Sequence, residues 1–580
     1  LGMVAGVAHV LRLFGNLLRL LLSPIWLVAR LAWLRGEPRW VMVQLHARLT
    51  PFRRPSSWLG RLRDRGDDPA EVRALEELQR LVERVVSDRQ VAGVAVRLPA
   101  LAAGWATCES VRDMFRQLRA AGKRVVCYLP QGGGNRELYV ALAANRIYMA
   151  PFSSFGPLGL ASAPLYVQPL LGRLGIAVEA QAAGEYKSAA EPALRDTMSD
   201  PAREQLTALL DGMHDALVAG LQDARKLAPE QVASLFERAL LLADDALASG
   251  LIDGVCYDDE LPKRLRAVPD ADAQRPPAPL PAARYLARTA PLWRPLRRKP
   301  FVAVVPLHGT IMGDEASRMG AGLTPHALSS VLERLRSDAK VRAVVLHIDS
   351  PGGSALASEQ MHRAISQLAQ HKPVVACFGE VAASGGYYVA CACKKIVAQA
   401  LTITGSIGVV SAKPDLSQLL ERVGVRRQAV RTTQSADMLS VARGLSLHEQ
   451  DVLRAQVAAL YERFVAVVAQ GRGRGVDEVE PLARGRVWSG RDAHARGLVD
   501  QLGGLSEALN AARSLVAVEP AARAALEARV QRLRSRPGLG LGGLRAALLA
   551  PWSRLLSELA FAEVLRREPA AYLSPWTRID

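Results

Sequence analysis

Four short stretches hold residues able to do chemistry. ASGGYY places Ser384 before two glycines, TGSIG carries Ser406, GEYKSAAEP sets Lys187 among small residues, and SPGGS brings Gly352 and Gly353 directly after an apolar run. A serine hydroxyl is a poor nucleophile until a base takes its proton. Lysine is normally protonated up to a pH of about 10.4. Apolar burial without a paired carboxylate lowers that value and makes the amine a base. A neighbouring hydroxyl such as that of Ser406 would orient the neutral amine. Glycines after a strand let backbone N–H groups approach a reacting oxygen closely. A helix starting after Ser384 would favour negative charge developing there. Together these residue types point to Ser–Lys acyl-transfer chemistry. Each motif alone is common: a Ser before Gly-Gly is usually a cap or turn, and a single lysine usually faces water. No histidine-based triad is expected, because His308 and His347 sit in or beside apolar runs and read as core residues. The sequence around Ser384 also departs from a G-x-S-x-G elbow.

The joint reading rests on an internal repeat. Ile147 onward (IYMAPFSSFGPLGL) matches Ile396 onward (IVAQALTITGSIGVV) at an offset of 249, with Gly156 on Gly405 and Gly159 on Gly408. Tyr139-Val140-Ala141 falls on Tyr388-Val389-Ala390, and Leu174-Gly175-Ile176 on Val423-Gly424-Val425, at the same offset. VAGVAVRL from Val91 matches VRAVVLHI from Val341 at 250, and GLID from Gly250 matches GLVD from Gly497 at 247. The chain therefore holds two copies of one domain. The chemistry is divided between them. Ser384 and Ser406 have Asn135 and Pro157 opposite, Gly352 and Gly353 have Ala102 and Ala103, and Lys187 has Ala436. A site needing both serine and lysine must draw on both copies.

The elements that position these residues read as α/β. Short β-branched runs (VAVVPL, AVVLHI, PVVACF, KIVA) alternate with helical stretches such as SEQMHRAISQLAQ. That alternation implies a layered sheet with helices outside. The expected organisation is an apolar, Arg-containing membrane-associated segment over 1–50, a linker over 51–70 and the first repeat over 71–260. A basic linker over 261–299 with polyproline character follows, then the second repeat over 300–515 and a helical tail over 516–580. In that tail, one helix is expected over Ala521–Arg536 and a second near Ala546–Arg567.

The 580 residues are 49% hydrophobic and 22% charged, which excludes wholesale disorder. The net charge of +18 is local: residues 1–54 carry +7 and residues 261–300 carry +8. The near-neutral body argues against a nucleic-acid groove. The two basic segments suit anionic lipid. Arg12, Arg19 and Arg30 interrupt the apolar N-terminal stretch, so a spanning anchor and an interfacial helix with Trp26, Trp33 and Trp40 at headgroup depth both stay open. No small-x-small site follows a clean apolar run, so a removable signal peptide is not expected. The six cysteines form no CxxC pair and read as buried small hydrophobes rather than a metal or redox site.

SPGGS, ASGGYY, TGSIG, GEYKSAAEP and the later RVWSGRDAHARGLVDQLGG (486–504) resemble the signal peptide peptidase A (protease IV) family in its long two-repeat form. The resemblance covers about residues 71–515. It implies two tandem domains similar to Clp protease and crotonase, built from stacked strand-strand-helix units. It implies Ser384 as nucleophile, Lys187 as general base, Ser406 as the hydroxyl that positions the lysine, and an oxyanion hole formed by Gly353 and the amide of Gly385. It further implies a bacterial serine endopeptidase attached to the cytoplasmic membrane, with its catalytic body on the extracytoplasmic, periplasmic side. The implied substrates are remnants of cleaved signal peptides, and the implied assembly is a homo-oligomer, a tetramer. No metal, cofactor or nucleic acid is implied. The competing readings are a crotonase-type acyl-CoA enzyme, which leaves the Ser384/Lys187 reciprocity unexplained, and a non-catalytic peptide-binding membrane scaffold.

Overall fold

The computed structural model describes residues 39–53, 68, 70–238, 240–266, 279–289, 299–315, 322–524, 526–533 and 570–572. The chain forms two compact units, one of residues 1–160 with 213–299 and one of 161–212 with 300–580.

The first unit is built on a parallel sheet. Its strand order is Gly254–Val255, Arg146–Met149, Arg124–Leu129, Val91–Arg97, Arg39–Thr50 and Leu280–Pro281, with Glu71–Ala74 also paired to Arg39–Thr50. Strands covered on both faces are continuously apolar, as in Val125 to Leu129, all buried. Helices Leu75–Ser87 and Trp105–Ala120 each bury one face, through Leu78, Leu81, Val82 and Val85 and through Val111, Phe115 and Leu118.

The second unit repeats this plan. Its sheet runs Val487–Ser489, Ile403–Gly405, Val374–Ala383, Val341–Ser350, Phe301–His308 and Glu527–Val530. Lys395–Ala398 also pairs with Val374–Ala383 and with Gln501–Leu502. The pairs are parallel except Ile403–Gly405 with Val487–Ser489. The four apolar runs singled out in the sequence are these strands, and SEQMHRAISQLAQ lies in the helix Ala355–Ala369. Ser354 caps that helix by accepting from Ala357 N at 3.2 Å. Ser446 and Glu449 form a capping box at the start of Leu447–Arg472.

A separate four-stranded sheet in the second unit reaches the chemical residues. Its order is Gly353–Ser354, Ala570–Tyr572, Val409–Asp415, Ala177–Ala183, and every pair is antiparallel. Seven residue pairs from Ala183↔Val409 to Ala177↔Asp415 fix the register that delivers the Lys187 segment.

The structure redraws four boundaries. Residues 161–212, expected in the first repeat, belong to the compact unit that holds Ser384. The end of the expected membrane segment is a sheet strand, Arg39–Thr50, in which Trp40 is 2% exposed; it sits in the core, not at headgroup depth. Five of the seven residues from Arg39 to Leu45 are apolar and buried, which suits a strand between two neighbours better than an interfacial helix. The part of the membrane expectation over 1–38 lies outside the described residues.

The basic linker is partly folded. Leu261–Arg266 and Ala282–Arg288 are helices, and Leu280–Pro281 closes the first sheet. Leu261, Leu265 and Tyr285 are buried, and the Tyr285 hydroxyl donates to Asp88 Oδ2 at 3.1 Å. The high proline content concealed these anchors. The expected tail helix over 521–536 stops at Ala524, and Glu527–Val530 becomes an edge strand beside Phe301–Val304. Arg529 there lies 4.6 Å from the Phe301 ring centroid. Leu280–Pro281 and Glu527–Val530 occupy the same place in their sheets, so the repeat runs past both expected ends. The expected helix near 546–567 lies outside the described residues.

Candidate active site

Ser384 stands between the strand Val374–Ala383 and the helix Gly385–Ala390, with φ 56° and ψ −119°. Such a conformation costs an L-residue about 1–3 kcal/mol. Ser384 N donates to Gly405 O at 2.8 Å, and Tyr388 N donates to Ser384 O at 2.9 Å. The turn is a sharp strand-to-helix elbow although the sequence lacks the G-x-S-x-G pattern. Two glycines follow because nothing larger fits. A Cβ on Gly385 would lie 2.4 Å from Ser358 Oγ, and one on Gly386 would lie 2.7 Å from Ser350 O. Tyr387 anchors the helix through a 2.7 Å hydrogen bond from its hydroxyl to Leu498 O.

The Pro-Gly-Gly loop lies against this elbow. Gly353 has φ +149°, and a Cβ there would meet Ile311 O at 1.9 Å. The loop is pinned by Ile311 N donating to Gly352 O at 2.8 Å and Ser354 N donating to Ile311 O at 2.9 Å. The position of a Cβ on Gly385 is 3.4 Å from Gly353 N, so glycine at 385 permits the close approach of these two backbones.

Ser406 follows the strand Ile403–Gly405, also at positive φ (50°), with its N–H donating to Arg486 O at 2.7 Å. Lys187 follows the strand Ala177–Ala183 through a turn closed by Lys187 N donating to Gly184 O at 3.1 Å. Its Nζ lies 3.0 Å from Ser384 Oγ, 3.0 Å from Ser406 Oγ and 3.0 Å from Ser406 O. Ser384, Lys187 and Ser406 are all buried. Burial pulls the Lys187 pKa down to about 7, and no carboxylate offsets it. An uncharged amine donates two N–H groups to Ser406 and offers its lone pair to the Ser384 hydroxyl. Such a geometry can serve a nucleophile that needs a base in hydrogen-bond reach and a third group to orient that base.

All five residues expected from the sequence, Ser384, Lys187, Ser406, Gly353 and Gly385, therefore gather in the second unit. Sequence reasoning missed Gly485. With φ +78°, its Cβ would fall 2.6 Å from both Cβ and N of Lys187. Gly485 N donates to Ile407 O at 2.8 Å, and the neighbouring Arg484 O accepts from Tyr186 N at 2.9 Å. The only signal was a glycine between two arginines ahead of a strand.

The corresponding place in the first unit is filled. Asn135, at the Ser384 position, donates from Nδ2 to Gly159 O at 2.7 Å and accepts from Gly159 N at 3.0 Å. The buried carboxylate of Glu137 accepts from Gly134 N at 2.6 Å and from Leu101 N. A carboxylate thus holds backbone N–H groups there, and no nucleophile stands beside them.

His308 Nε2 and His347 Nδ1 bond each other at 2.8 Å, and burial lowers both pKa values, that of His308 to about 4. They form a neutral core pair, as expected. All six cysteines are buried, and desolvation pushes the Cys127, Cys377 and Cys391 thiols up to about 12, where they are inert.

The model for Peptidase family S49 matches residues 117–272 and 366–519. The chloroplastic serine protease SPPA of Arabidopsis thaliana is 31% identical over 76% of this chain and 65% of its own length. Protease 4 of Haemophilus influenzae is 31% identical over 68% of this chain and 65% of its own. Protease 4 of Salmonella typhi is 29% identical over 77% and 73%. The chain thus spans about two thirds, 65%, of the first two relatives. A solved chain of a mutant ClpP1 from Listeria monocytogenes aligns over 35% of this chain and 93% of its own, at 15% identity and a TM-score of 0.24.

Two outcomes follow from the geometry. Gly485→Ala forces a Cβ into Lys187 at a positive φ, so labelling of Ser384 by a fluorophosphonate is expected to slow by about ten-fold or more, with stability falling by at least about 1 kcal/mol. Unchanged labelling would show that Lys187 tolerates displacement. The second concerns the cost of burying the amine. The unfolded lysine titrates near about 10.4 and the folded one at about 7. Between these values the unfolded chain holds the extra proton, so stability rises with pH across that window, and the penalty is complete below it. That penalty is on the order of 4 kcal/mol, offset by hydrogen bonds of about 1 kcal/mol each. Lys187→Met is therefore expected to raise Tm at about pH 7 and to lose that advantage by about pH 10. A Tm difference that does not depend on pH would contradict the assignment.

Proposed function

The chain belongs to peptidase family S49, and from that premise we propose that it is a membrane-attached serine endopeptidase working through a Ser384–Lys187 dyad. The observation that carries this reading is the 3.0 Å approach of a buried Lys187 Nζ, without a carboxylate partner, to Ser384 Oγ.

Neutral Lys187 takes the Ser384 proton as Oγ attacks the peptide carbonyl. The oxyanion forms beside the backbone N–H groups of Gly353 and Gly385, at the N-terminus of the helix Gly385–Ala390. Ser406 accepts from the amine through its carbonyl and hydroxyl oxygens and keeps the lysine aimed at Oγ. The lysine ammonium returns its proton to the departing amine, and water then repeats the sequence on the acyl-serine.

The backbone beside the dyad suits an extended peptide. Ala570–Tyr572 lies between Gly353–Ser354 and Val409–Asp415, antiparallel to both, so this slot accepts a main chain in strand form. The proposed chains are signal peptide remnants left in the membrane after cleavage from secreted proteins. The proposed location is the extracytoplasmic face of a bacterial inner membrane, with the apolar, Arg-containing N-terminal segment as the attachment. No described helix is long and apolar enough to cross a membrane. We further propose a homotetramer. Leu165 (82% exposed), Leu170, Val423 and Val430 leave apolar surface on the second unit for another copy to cover. A tetramer mass for the detergent-solubilised protein supports this, and a monomer mass contradicts it.

The deciding experiment compares hydrolysis of an unfolded signal-peptide sequence by wild type, Ser384→Ala and Lys187→Ala. Both variants are expected to lose about a thousand-fold or more in kcat. Wild-type turnover is expected to rise with pH through about 7, where Lys187 becomes neutral, and then level off. Normal turnover in Lys187→Ala would place the base elsewhere. Fluorophosphonate label persisting in Ser384→Ala would remove the nucleophile assignment. An unlabelled wild type that still binds peptide would favour a non-catalytic scaffold.

A further inference from the structure

The Lys187 turn is held by a residue that the chemistry above leaves unused. Gln205 lies on the helix Asp200–Arg225 and is fully buried. Its Nε2 donates to Tyr186 O at 2.9 Å and to Ser188 Oγ at 3.0 Å, one contact on each side of Lys187. Its Oε1 accepts from Val487 N at 3.1 Å. The amide can point only one way, because a carbonyl only accepts and a backbone N–H only donates. Val487–Ser489 is the strand antiparallel to Ile403–Gly405, and the adjoining Arg486 O accepts from Ser406 N at 2.7 Å. One side chain therefore ties the segment bearing the base to the segment bearing its orienting hydroxyl.

Besides the backbone bond from Tyr186 N to Arg484 O, the other contacts across this seam are weaker. Tyr186 OH donates to Glu204 Oε2 at 2.9 Å, and Arg486 pairs with Glu204 at 2.8 Å, but Glu204 is 53% exposed. Exposed pairs of that kind contribute little. Hydrogen bonds that are buried and fully satisfied fix geometry much more firmly.

We propose that Gln205 is a positioning residue for the dyad: it clamps Tyr186 and Ser188 to Val487 so that Lys187 Nζ stays buried between Ser384 and Ser406. This inference rests on the Ser–Lys reading of the site. Lys187 keeps its lowered pKa only while its amine is withheld from water. Gln205→Met preserves length and apolar volume and removes all three hydrogen bonds. The released turn lets the amine reach solvent, so its pKa moves back toward that of an ordinary lysine. A residue that only supported the fold would lower activity equally at every pH.

The test measures peptide hydrolysis and fluorophosphonate labelling against pH for wild type and Gln205→Met, both as full chains. It also follows the Lys187 titration directly by NMR on isotope-labelled lysine side chains. For Gln205→Met, kcat is expected to fall about ten-fold at neutral pH and to recover largely at about pH 9, with KM little changed and the titration of Lys187 moved upward by about one unit. Gln205→Glu keeps volume and the contact to Val487 N but cannot donate to Tyr186 O. Its negative charge would raise the titration by itself, so Gln205→Leu, uncharged and without hydrogen bonds, serves if Gln205→Met folds poorly. A pH-independent loss, or an unmoved titration in a folded variant, would overturn the proposal. The NMR arm reads Gln205 even if wild type cleaves no peptide, whereas absent wild-type cleavage and labelling count against the Ser–Lys reading itself.

Discussion

The whole arrangement depends on keeping one amine out of water without giving it a counter-charge. A carboxylate beside Lys187 would stabilise the ammonium and remove its capacity to act as a base. The residues around it offer only neutral oxygen: two hydroxyls and one carbonyl, each 3.0 Å from Nζ. Burial costs stability at neutral pH, and the protein meets that cost with rigid neighbours. Glycines at 353, 385 and 485 allow backbones to close in to distances no side chain would permit. Strain at Ser384 and Ser406, both at positive φ, is held by hydrogen bonds to Gly405 O and Arg486 O.

The two units carry the same sheet but opposite contents at the equivalent place. In the second, small residues leave a site where a strand, an elbow and a lysine turn converge. In the first, Asn135 and Glu137 satisfy the local backbone groups themselves. The serine stands only in the second copy and the lysine only in the first, with Asn135 and Ala436 at the equivalent positions. The segment 161–212, first-copy by sequence, is compact with the second unit, so the lysine and serine share one folded body.

Much of the site was legible in the sequence because it was encoded by contrast. Ser384, Gly353 and Lys187 each have a chemically silent residue at the repeat offset, and that reciprocity marked them. The central strands were legible from their β-branched runs. The closing strands were not. Leu280–Pro281 sits in a proline-rich stretch, and Glu527–Val530 carries charges that read as helix. Edge strands have one open side and need little apolar sequence. Arg39–Thr50 was lost to the apolar run ahead of it. Gln205 and Gly485 carry little local signature, because their value lies in contacts far along the chain: Gln205 with Val487, 282 positions away, and Gly485 with Lys187.

The claim at the centre is that Lys187 is uncharged beside Ser384 at working pH. Neutron diffraction from deuterium-exchanged crystals grown at about pH 9, well above the lowered pKa, reads this directly. The account predicts two deuterons on Lys187 Nζ, directed at the two Ser406 oxygens, and one on Ser384 Oγ directed at Nζ. Three deuterons on Nζ would contradict it.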